Sequence, residues 1–532
     1  MLGHHAEGPF GTDNRICPTV MLIARTSLAF FTLIILSLLT VVVYRLYLHP
    51  LSRIPGPRIA AITNSWYAYQ VRNGRMLHLG KTLHKQYGPV VRAGPNEVWF
   101  NTKDAFRVIY SPTAGYEKSD FYLATALLKP KLDTYLQLQL PDTLDLLAER
   151  DMKRYRLQRR LIGPIYHTNN VKRYEHAVDT VLERVVEQLR SLKGTEVDLK
   201  EWMHIITVEC LAAVSLSWSP GYLRDKSDGA SGKHAYMGWR RKSVFGLFPL
   251  AVISETLSRS AGRAFSNLWG VKYHTPKEGF RPFFPAVQKK ISQRVKASLR
   301  EKPPKDDRKD IVADLIQLHK DRPEFNEQYL RRMAITNFGA GHETMASTLI
   351  SAISMIGTHV QTQKRVVDEV LQCSDPCSFD DAVRLQFTQA SIKEAQRLHP
   401  VIGMSIPRRV PEGGMSIDGL YLPPGTTVGC NPVSLHRNPD IFGLDAEAFN
   451  PDRWLVNEKV KAMDRYNLIW GGGARTCPGR NLAEMLVSKI VPALIMKFEI
   501  QAAIPPDNEM PYYFMAMLTG VRARFIPRDH AT

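Results

Sequence analysis

Cys477 stands in the segment of this chain whose residue types and spacing most clearly indicate chemistry. The segment, residues 470–479, reads WGGGARTCPG, and a helical pattern begins just after it. Its glycines, Gly471, Gly473 and Gly479, let the backbone approach a flat molecule where a β-carbon would clash. A cysteine thiolate is a ligand of haem iron that pushes electron density onto the metal and favours cleavage of the O–O bond. The segment therefore predicts a haem site with Cys477 as the axial ligand of the iron.

Two further side chains of this segment support the same chemistry. Arg475 offers a charged donor to a carboxylate such as a haem propionate. The string resembles the haem-ligand signature of the cytochrome P-450 superfamily, F-G-x-G-x-R-x-C-x-G, with Trp470 in place of the phenylalanine. This exchange keeps an aromatic ring near the sulfur. The resemblance implies haem b as cofactor and a single large haem-thiolate monooxygenase fold, mainly α-helical with minor β structure.

Residues 340–344, AGHET, interrupt an apolar helical pattern with small residues, an acid and a hydroxyl. The hydroxyl of Thr344 can bond the carbonyl four residues back, that of Ala340, and bend the helix. Gly341 removes bulk there, and we expect a groove deep enough for dioxygen. The segment resembles the distal-helix motif of the family, A/G-G-x-D/E-T. The resemblance implies that Thr344 binds the distal oxygen and that Glu343 connects it to a source of protons.

Glu394 and Arg397 are three residues apart, so they share one face of a helix and can pair. In an isolated helix this spacing is typical of a surface ion pair. Here the segment resembles the E-x-x-R motif of the family, and residues 451–454, PDRW, resemble its P-E-R-F/W element with Asp452 in place of Glu. The resemblance implies that Arg453 joins Glu394 and Arg397 in a buried triad beneath the ligand loop, with a structural role.

Two basic segments supply candidates for binding the propionates. The first resembles the W/H-x-x-x-R helix of the family, with Tyr155 at the aromatic position and Arg159 as the candidate, and Arg160 as its rival. A solvated basic face that meets a redox partner is the other interpretation of this helix. Arg408 is similar to a second propionate-binding arginine of the family, although Arg409 could take that place.

The composition indicates a globular chain without nucleic-acid partners. Of 532 residues 44% are hydrophobic and 23% are charged, as in ordinary folded proteins. The formal net charge is +19, but the basic residues are dispersed and no nucleic-acid motif accompanies them. An acidic protein partner or an anionic membrane leaflet explains this excess. Six scattered cysteines are too few for a disulfide framework, which favours a reducing compartment.

The N-terminal part predicts a membrane anchor. Residues 27–44 carry no charge, and with short extensions they are long enough to cross a bilayer as a helix, the alternative being a buried core helix. More arginines follow this run than precede it, which places the C-terminal part in the cytosol. We therefore expect a lumenal segment (1–25), a transmembrane anchor (26–48), a proline-rich hinge (49–58) and a cytosolic catalytic haem domain (59–532). The hinge resembles that of microsomal members, which implies the endoplasmic reticulum membrane.

The hydrophobic pattern along the chain is mainly helical. It predicts helices over 65–87, 144–160, 171–215, 308–357 with a break at 321–323, a continuation to 398, and a last helix over 479–498. Residues 90–100 are typical of a short hairpin, residues 217–280 show no clear period, and short strands follow residue 400.

The resemblance implies a reaction that inserts one atom of dioxygen into an organic substrate and reduces the other to water. The chain has no dinucleotide fingerprint or P-loop, so electrons must come from a separate NADPH-dependent flavoprotein reductase. Five stretches should line the pocket, and their apolar content suggests a lipophilic substrate: 110–140, 217–280, 337–338, 402–405 and 512–518. Residues 433–439 and 442–455 are similar to filamentous-fungal members, which favours hydroxylation of a secondary metabolite.

Two other functions are compatible with these motifs. A same-fold enzyme could rearrange or dehydrate a peroxide without a reductase, although the Glu343-Thr344 pair argues against it. A non-enzymatic haem sensor or electron carrier is the second alternative. A carrier would fill both axial positions of the iron, and we do not expect His342 to serve as a second ligand, because oxygen activation needs that position open.

Overall fold

The computed structural model describes residues 18–113, 116–128, 130–134, 138–272, 280–300, 307–373 and 378–528. These residues form two compact units, and the division falls between Arg53 and Ile54, inside the connector predicted at 49–58. Most of the predicted lumenal segment, residues 1–17, lies outside the described part of the chain, as do Cys17 and Cys377.

The first unit is built around one apolar helix. Helix α1 spans Pro18–Val43 and continues as a π-helical turn over Tyr44–Leu48. The stretch Arg25–Leu48 has 24 residues; its most apolar 18 residues have a mean hydropathy of 2.5, and none of them is buried. At 1.5 Å per residue it is about 36 Å long, which exceeds the hydrocarbon thickness of a bilayer. This helix is therefore long and apolar enough to cross a membrane, and the core-helix alternative does not fit its exposure.

Helices make up most of the second unit. Its N-terminal half contains α2 Arg58–Ile62, α3 Ser65–Arg72, α4 Met76–Tyr87, α5 Lys103–Ile109, α6 Met152–Ile162, α7 Thr168–Lys172, α8 Glu175–Ser191, α9 Leu199–Leu216, α10 Tyr222–Asp225, α11 Ser231–Gly246, α12 Pro249–Leu257, α13 Arg259–Leu268 and α14 Phe283–Ser298. Its C-terminal half contains α15 Ile311–Asp321, α16 Glu327–Thr358, α17 Val360–Leu371, α18 Phe379–Ala382, α19 Gln386–Leu398, α20 Pro432–Leu435, α21 Pro439–Phe442, α22 Asn457–Asp464 and α23 Arg480–Lys497. Short 3₁₀ turns lie at Asp120–Thr125, Gly163–Tyr166, Pro451–Trp454, Gly473–Arg475 and Asp507–Glu509.

The strands are short and form four small sheets among the described residues. They are β1 Val90–Gly94, β2 Glu97–Phe100, β3 Lys131–Leu132, β4 Leu138–Gln139, β5 Val197–Asp198, β6 Arg408–Arg409, β7 Met415–Ile417, β8 Leu420–Leu422, β9 Thr427–Gly429, β10 Phe498–Ala503 and β11 Arg522–Pro527. The largest sheet has the order β1-β2-β9-β6, and β10-β11-β5 form the second. The predicted hairpin over 90–100 is confirmed as the antiparallel pair β1-β2, with Val91 opposite Trp99.

Helix α16 runs through the middle of the second unit and positions the predicted distal motif. The side chain of Asn326 accepts the backbone N–H of Tyr329 (2.9 Å) and caps the helix. The break predicted at 321–323 separates α15 from α16, because Pro323 cannot continue a helix. Beyond the motif α16 is buried on all sides, and α9, α19 and α23 pack around it. The predicted architecture, mainly helical with minor sheet, is thereby confirmed.

Three predicted elements differ from the observed ones. The helix expected over 65–87 divides into α3 and α4 at Gly74, where φ is +70° and a β-carbon would lie 2.4 Å from Pro511 Cβ. The helix expected from 144 begins only at Met152, because the Asp151 side chain caps it by accepting the next backbone N–H groups. The stretch 217–280, which lacks a clear period, contains α10 to α13 in its described part.

Candidate active site

Cys477 lies in a tight loop directly before α23. Its backbone N–H donates to the carbonyl of Trp470 (2.8 Å), and the Thr476 hydroxyl donates to the carbonyl of Gly473 (2.8 Å). Gly471 and Gly473 have φ values of +79° and +63°, a conformation that residues with a side chain rarely adopt. These bonds and glycines close the loop and fix the place of the thiol.

The glycines of the loop face two different sides. A β-carbon at Gly473 would lie 2.4 Å from the carbonyl oxygen of Tyr110, and one at Gly472 would lie 2.8 Å from the side chain of the same tyrosine. A β-carbon at Gly479 would meet no atom within 4 Å. The sequence predicts that these glycines clear space for a macrocycle. That explanation fits Gly479, whereas Gly472 and Gly473 allow the loop to pack against Tyr110.

The thiol of Cys477 is half-buried and free. Burial raises its pKa, and the backbone N–H of Gly479 and the charges of Arg159 and Arg480 oppose that rise. The ligand form of cysteine is the thiolate, and a bound metal ion removes the proton outright. The loop therefore suits a metal ligand better than a free nucleophile.

The predicted distal motif forms a helix face with accessible surface. Thr344 Oγ1 donates to the carbonyl of Ala340 (2.6 Å), as its position in the helix predicts. Ala340 is exposed and a β-carbon at Gly339 would meet no atom within 4 Å, whereas residues 345–357 of the same helix are buried. Gly341 differs from the prediction, since a β-carbon there would lie 2.9 Å from Leu211 Cδ1. Its missing side chain lets α16 approach α9, and the open space lies at residues 339 and 340.

Tyr166 connects this helix face with the start of α23. Its hydroxyl donates to Asn337 Oδ1 of α16 (2.5 Å), and its carbonyl accepts Asn481 Nδ2 of α23 (2.8 Å). Burial raises the pKa of Tyr166, and Cys477 is near enough to contribute to the rise. The Cys477 loop and the distal face of α16 are thus held on either side of Tyr166.

The two other polar residues of the motif point away from that face. Glu343 is buried, and Trp239 Nε1 of α11 donates to its Oε2. Burial raises the pKa of Glu343 to about 7, although the Trp239 hydrogen bond lowers it. His342 is buried with its ring centroid 5.4 Å from that of Phe284 and 5.5 Å from that of His204. His342 therefore packs among rings of α9 and α14. This position agrees with the expectation that it is not a ligand of the iron.

Three cations meet beside the Cys477 loop: Lys118 and Arg408 are buried, and Arg475 is half-buried. Arg408 is buried and pairs through an isolated β-bridge with Lys118, whereas Arg409 is exposed. Burial and the charges of Arg475 and Arg408 lower the pKa of Lys118. Burial and the charge of Arg408 lower the pKa of Arg475 to about 10. Positive groups that repel one another in this way need anions, and the two propionates of a haem supply two carboxylates.

Lys118 is a member of this cluster that the sequence does not indicate. Its Nζ donates to the carbonyls of Leu146 (3.1 Å) and Leu147 (2.6 Å) and lies 4.7 Å from the ring centroid of Tyr122. It belongs to the irregular stretch after residue 110, where no spacing or motif marks it. Its position depends on the β-bridge to Arg408, which is a contact distant in sequence.

Helix α6 presents Tyr155 and Arg159 toward the cation cluster. The guanidinium of Arg475 lies 4.4 Å from the ring centroid of Tyr155, which is buried. Arg159 is half-buried, and its Nη1 has no hydrogen-bond partner among the described residues, whereas Arg160 is exposed. Of the two rivals, Arg159 is therefore the one aimed inward. The charges of Arg159, Arg475, Arg408 and Cys477 all act on the pKa of Tyr155, which places them around one ring.

The structure brings Glu394, Arg397 and Arg453 together. Glu394 accepts Nε and Nη2 of Arg397 (both 2.8 Å) and Nε of Arg453 (2.9 Å), and Trp454 Nε1 donates to the same carboxylate (2.9 Å). All three members are buried. Asp452 takes no part in this group, because its carboxylate forms an exposed bidentate pair with Arg365 (2.7 and 2.8 Å).

His436 connects the triad to the ligand loop, and the sequence reasoning did not single it out. Its Nε2 accepts the backbone N–H of Leu468 (2.9 Å), so the proton is on Nδ1, which lies 3.1 Å from the carbonyl of Arg397. Burial and the charge of Arg397 lower the pKa of His436 to about 3, which keeps the ring neutral. The segment that enters the Cys477 loop is thus bonded to α19 through one imidazole.

Three of the predicted pocket stretches converge in an aromatic wall. Phe514 lies 5.1 Å from Phe121 and 5.6 Å from Trp239 between ring centroids. The backbone N–H of Gly403 donates to the Phe514 carbonyl (3.0 Å), which adds the stretch 402–405. Residues 337–338 do not join this wall, because Phe338 packs against Phe283 and Asn337 bonds Tyr166. Parts of the stretches 110–140 and 217–280 lie outside the described residues.

These residues fit a haem held between the Cys477 loop and α16. Cys477 would supply a sulfur ligand, Gly479 and Ala340 border open space, and Arg159, Arg408 and Arg475 would supply charged donors for propionates. A helical unit with such a site defines the class of haem-thiolate oxygenases.

Comparison with known proteins agrees with this class. The family model described as Cytochrome P-450 matches residues 55–520, so the chain belongs to the cytochrome P-450 family. The chain is 58% identical to the cytochrome P-450 monooxygenase sdnT of Sordaria araneosa over 524 residues, which cover 92% of this chain and 94% of that protein. It is 27% identical to the cytochrome P-450 monooxygenase gsfF of Penicillium aethiopicum, over 91% of this chain and 95% of the relative. It is also 27% identical to a pisatin demethylase of Fusarium vanettenii, over 86% and 87%.

Membership of this family makes the protein a haem-dependent monooxygenase, an oxidoreductase that uses dioxygen, a small-molecule substrate and electrons from a redox partner. None of the three relatives is named as a peroxide-rearranging enzyme or as a haem carrier. Neither alternative function gains support from these comparisons.

Proposed function

We propose that this protein is anchored in the endoplasmic reticulum membrane by α1 and hydroxylates a lipophilic secondary metabolite on the cytosolic side. The observation that carries the proposal is that Tyr166 links α16, which bears the Thr344–Ala340 face, to the start of α23, which follows the half-buried Cys477. The aromatic wall around Phe514 supports it. The fungal relatives support it, and one of them is named for the demethylation of pisatin. The apolar helix Arg25–Leu48 supports the anchor.

We assign the roles of the site residues from their positions. When bound, haem supplies the activation of dioxygen. Cys477 would bind the haem iron, Trp470 closes the loop through its carbonyl, and Arg159, Arg408 and Arg475 would hold the propionates. Thr344 already donates to Ala340, so its oxygen remains able to accept a hydrogen bond from the oxygen-binding side. Glu343 supplies protons, and the triad of Glu394, Arg397 and Arg453 holds the loop.

We propose that the electrons come from a separate NADPH-dependent flavoprotein reductase in the same membrane. The chain carries a net charge of +19, and a basic surface attracts an acidic partner and accelerates encounter. Raising the ionic strength should therefore weaken this association.

Thr344→Ala should increase the hydrogen peroxide released per NADPH oxidised and reduce product formation by about 100-fold, because a positioned proton-transfer group is lost. The measurement is peroxide and product in reconstituted membranes. Thr358→Ala is a matched control, since the Thr358 hydroxyl likewise donates to the carbonyl four residues back, that of Ser354 (2.9 Å), at the C-terminal end of α16. Unchanged coupling in Thr344→Ala would remove Thr344 from the proton route.

The substrate is best found by comparing metabolites of a host with and without the gene. A compound that accumulates without the gene is then given to membranes that contain the protein, the reductase and NADPH. The proposal predicts a product heavier by one oxygen atom, or the further oxidation product of that alcohol, only when NADPH is present. Conversion of a peroxide without NADPH would instead favour the rearranging enzyme.

A further inference from the structure

We propose that Trp239 is a positioning residue that holds the Glu343 carboxyl turned away from Thr344, toward two lysines from which the site takes its protons. The proposal deepens the function proposed above and rests on the role given there to Glu343. Trp239 lies on α11, far in sequence from the distal motif, and belongs to the stretch 217–280 for which the sequence predicts only pocket lining.

The hydrogen bonding of Glu343 and Thr344 separates the two side chains. Glu343 Oε2 accepts Trp239 Nε1 of α11, whereas Thr344 Oγ1 is bonded back to Ala340 of the same helix. Glu343 Oε1 is buried and has no hydrogen-bond partner among the described residues. A buried carboxyl with one bonded and one unpaired oxygen is set up to bind a water or to change partner. The indole N–H is therefore the contact that determines where this acid points.

Trp239 itself is held firmly. Its ring packs against Phe514 at 5.6 Å, and the ammonium of Lys242 lies 4.7 Å from its centroid. Ser243 connects the backbone of Trp239 to that of Phe514. Its hydroxyl donates to the Trp239 carbonyl (2.6 Å) and accepts the backbone N–H of Phe514 (3.0 Å). A phenylalanine at position 239 would keep most of this packing and lose only the donor.

The charges of two lysines on different helices act on the pKa of Glu343. Lys242 is on α11, and Lys200 of α9 has its Nζ 4.4 Å from the ring centroid of Tyr236. Both lysines are half-buried and retain accessible surface, whereas Glu343 is buried. Either ammonium can therefore release a proton toward the Glu343 carboxylate and regain one from solvent.

The charges around this group favour exchange near neutral pH. Burial raises the pKa of Glu343 to about 7, while Trp239, Lys242 and Lys200 lower it, and burial lowers the pKa of Lys200 to about 8. The other titratable groups that face this cluster are Tyr236 toward Glu343, Asp198, Asp228 and Lys233 toward Lys200, Asp145 and Arg241 toward Lys242, and the neighbouring His342. A donor and an acceptor of similar acidity pass a proton readily in both directions.

The test is the infrared carbonyl band of protonated Glu343 in the full-length holoenzyme, assigned by its loss in Glu343→Gln. Because the indole N–H stabilises the carboxylate, Trp239→Phe should move the midpoint of this band upward by about one pH unit. The pH profile of NADPH-driven oxygen consumption with the reductase, measured without an organic substrate, should move by the same amount.

Trp269→Phe is the matched control, because Trp269 packs against Phe248 (5.2 Å) and Phe265 (6.3 Å) outside this cluster. It should leave both midpoints in place, and Trp239→His, which keeps a ring N–H, should move them less than Trp239→Phe. An unchanged band in Trp239→Phe would overturn the positioning role. A pH profile that is the same in Glu343→Gln as in the native enzyme would instead overturn the role proposed for Glu343.

Discussion

Replacement of Cys477 by serine is expected to reduce NADPH-driven oxygen consumption to the level of the reductase alone. A serine hydroxyl is far less acidic than a thiol and does not push electron density onto the iron as a thiolate does. The loop itself should persist, since the hydrogen bond from residue 477 to the Trp470 carbonyl uses the backbone. The measurement is oxygen uptake by the reconstituted holoenzyme at equal haem content.

Cys373→Ser is the matched control for this change. Cys373 is a half-buried free cysteine at the end of α17, outside the ligand loop. Its replacement should leave oxygen uptake unchanged. Equal activity of the native protein and Cys477→Ser would remove Cys477 from the site.

Replacement of Glu394 by alanine is expected to destabilise the holoenzyme by about 3–5 kcal/mol. Glu394 is fully buried and accepts hydrogen bonds from Arg397, Arg453 and Trp454. Without it, the buried Arg397 loses its carboxylate partner, and Arg453 keeps only the exposed Asp445. The measurement is the denaturant concentration at which haem absorbance and helical circular dichroism are lost.

Asp452→Ala provides the comparison within the same motif. Asp452 forms an exposed pair with Arg365, and such pairs contribute about 1 kcal/mol or less. If Asp452→Ala lost as much stability as Glu394→Ala, the difference in burial would not explain how much each carboxylate contributes to stability. A Glu394→Ala protein as stable as the native one would contradict the structural role of the triad.

Local patterns were sufficient for much of the fold. The turn residues 94–96 between two apolar runs predict the β1-β2 hairpin, and Pro323 marks the break between α15 and α16. The prediction of one helix over 65–87 did not use the Asn73-Gly74 pair, which is a local turn signal. The approach of Pro511 to Gly74, a contact distant in sequence, is not visible in the local pattern. Helix α11 was missed because its buried side chains, among them Arg241 and Trp239, do not follow a simple apolar stripe.

The same contrast between local patterns and contacts distant in sequence applies to the site residues. Residues within one motif, such as Cys477 with its glycines or Thr344 with Ala340, are placed by a single loop or helix turn. Lys118 and His436 reach the site through contacts with distant segments, which spacing along the chain does not reveal. Gly341 shows that a motif identifies a position correctly while the physical reason differs, since this glycine accommodates Leu211.

The most direct test of this account is the absorption spectrum of the reduced full-length protein with carbon monoxide. The account predicts that the gas binds and that the band has the red-shifted position of a thiolate-ligated haem, because sulfur occupies one axial position and the other is open. Failure to bind carbon monoxide, or a band typical of a nitrogen-ligated haem, would contradict it.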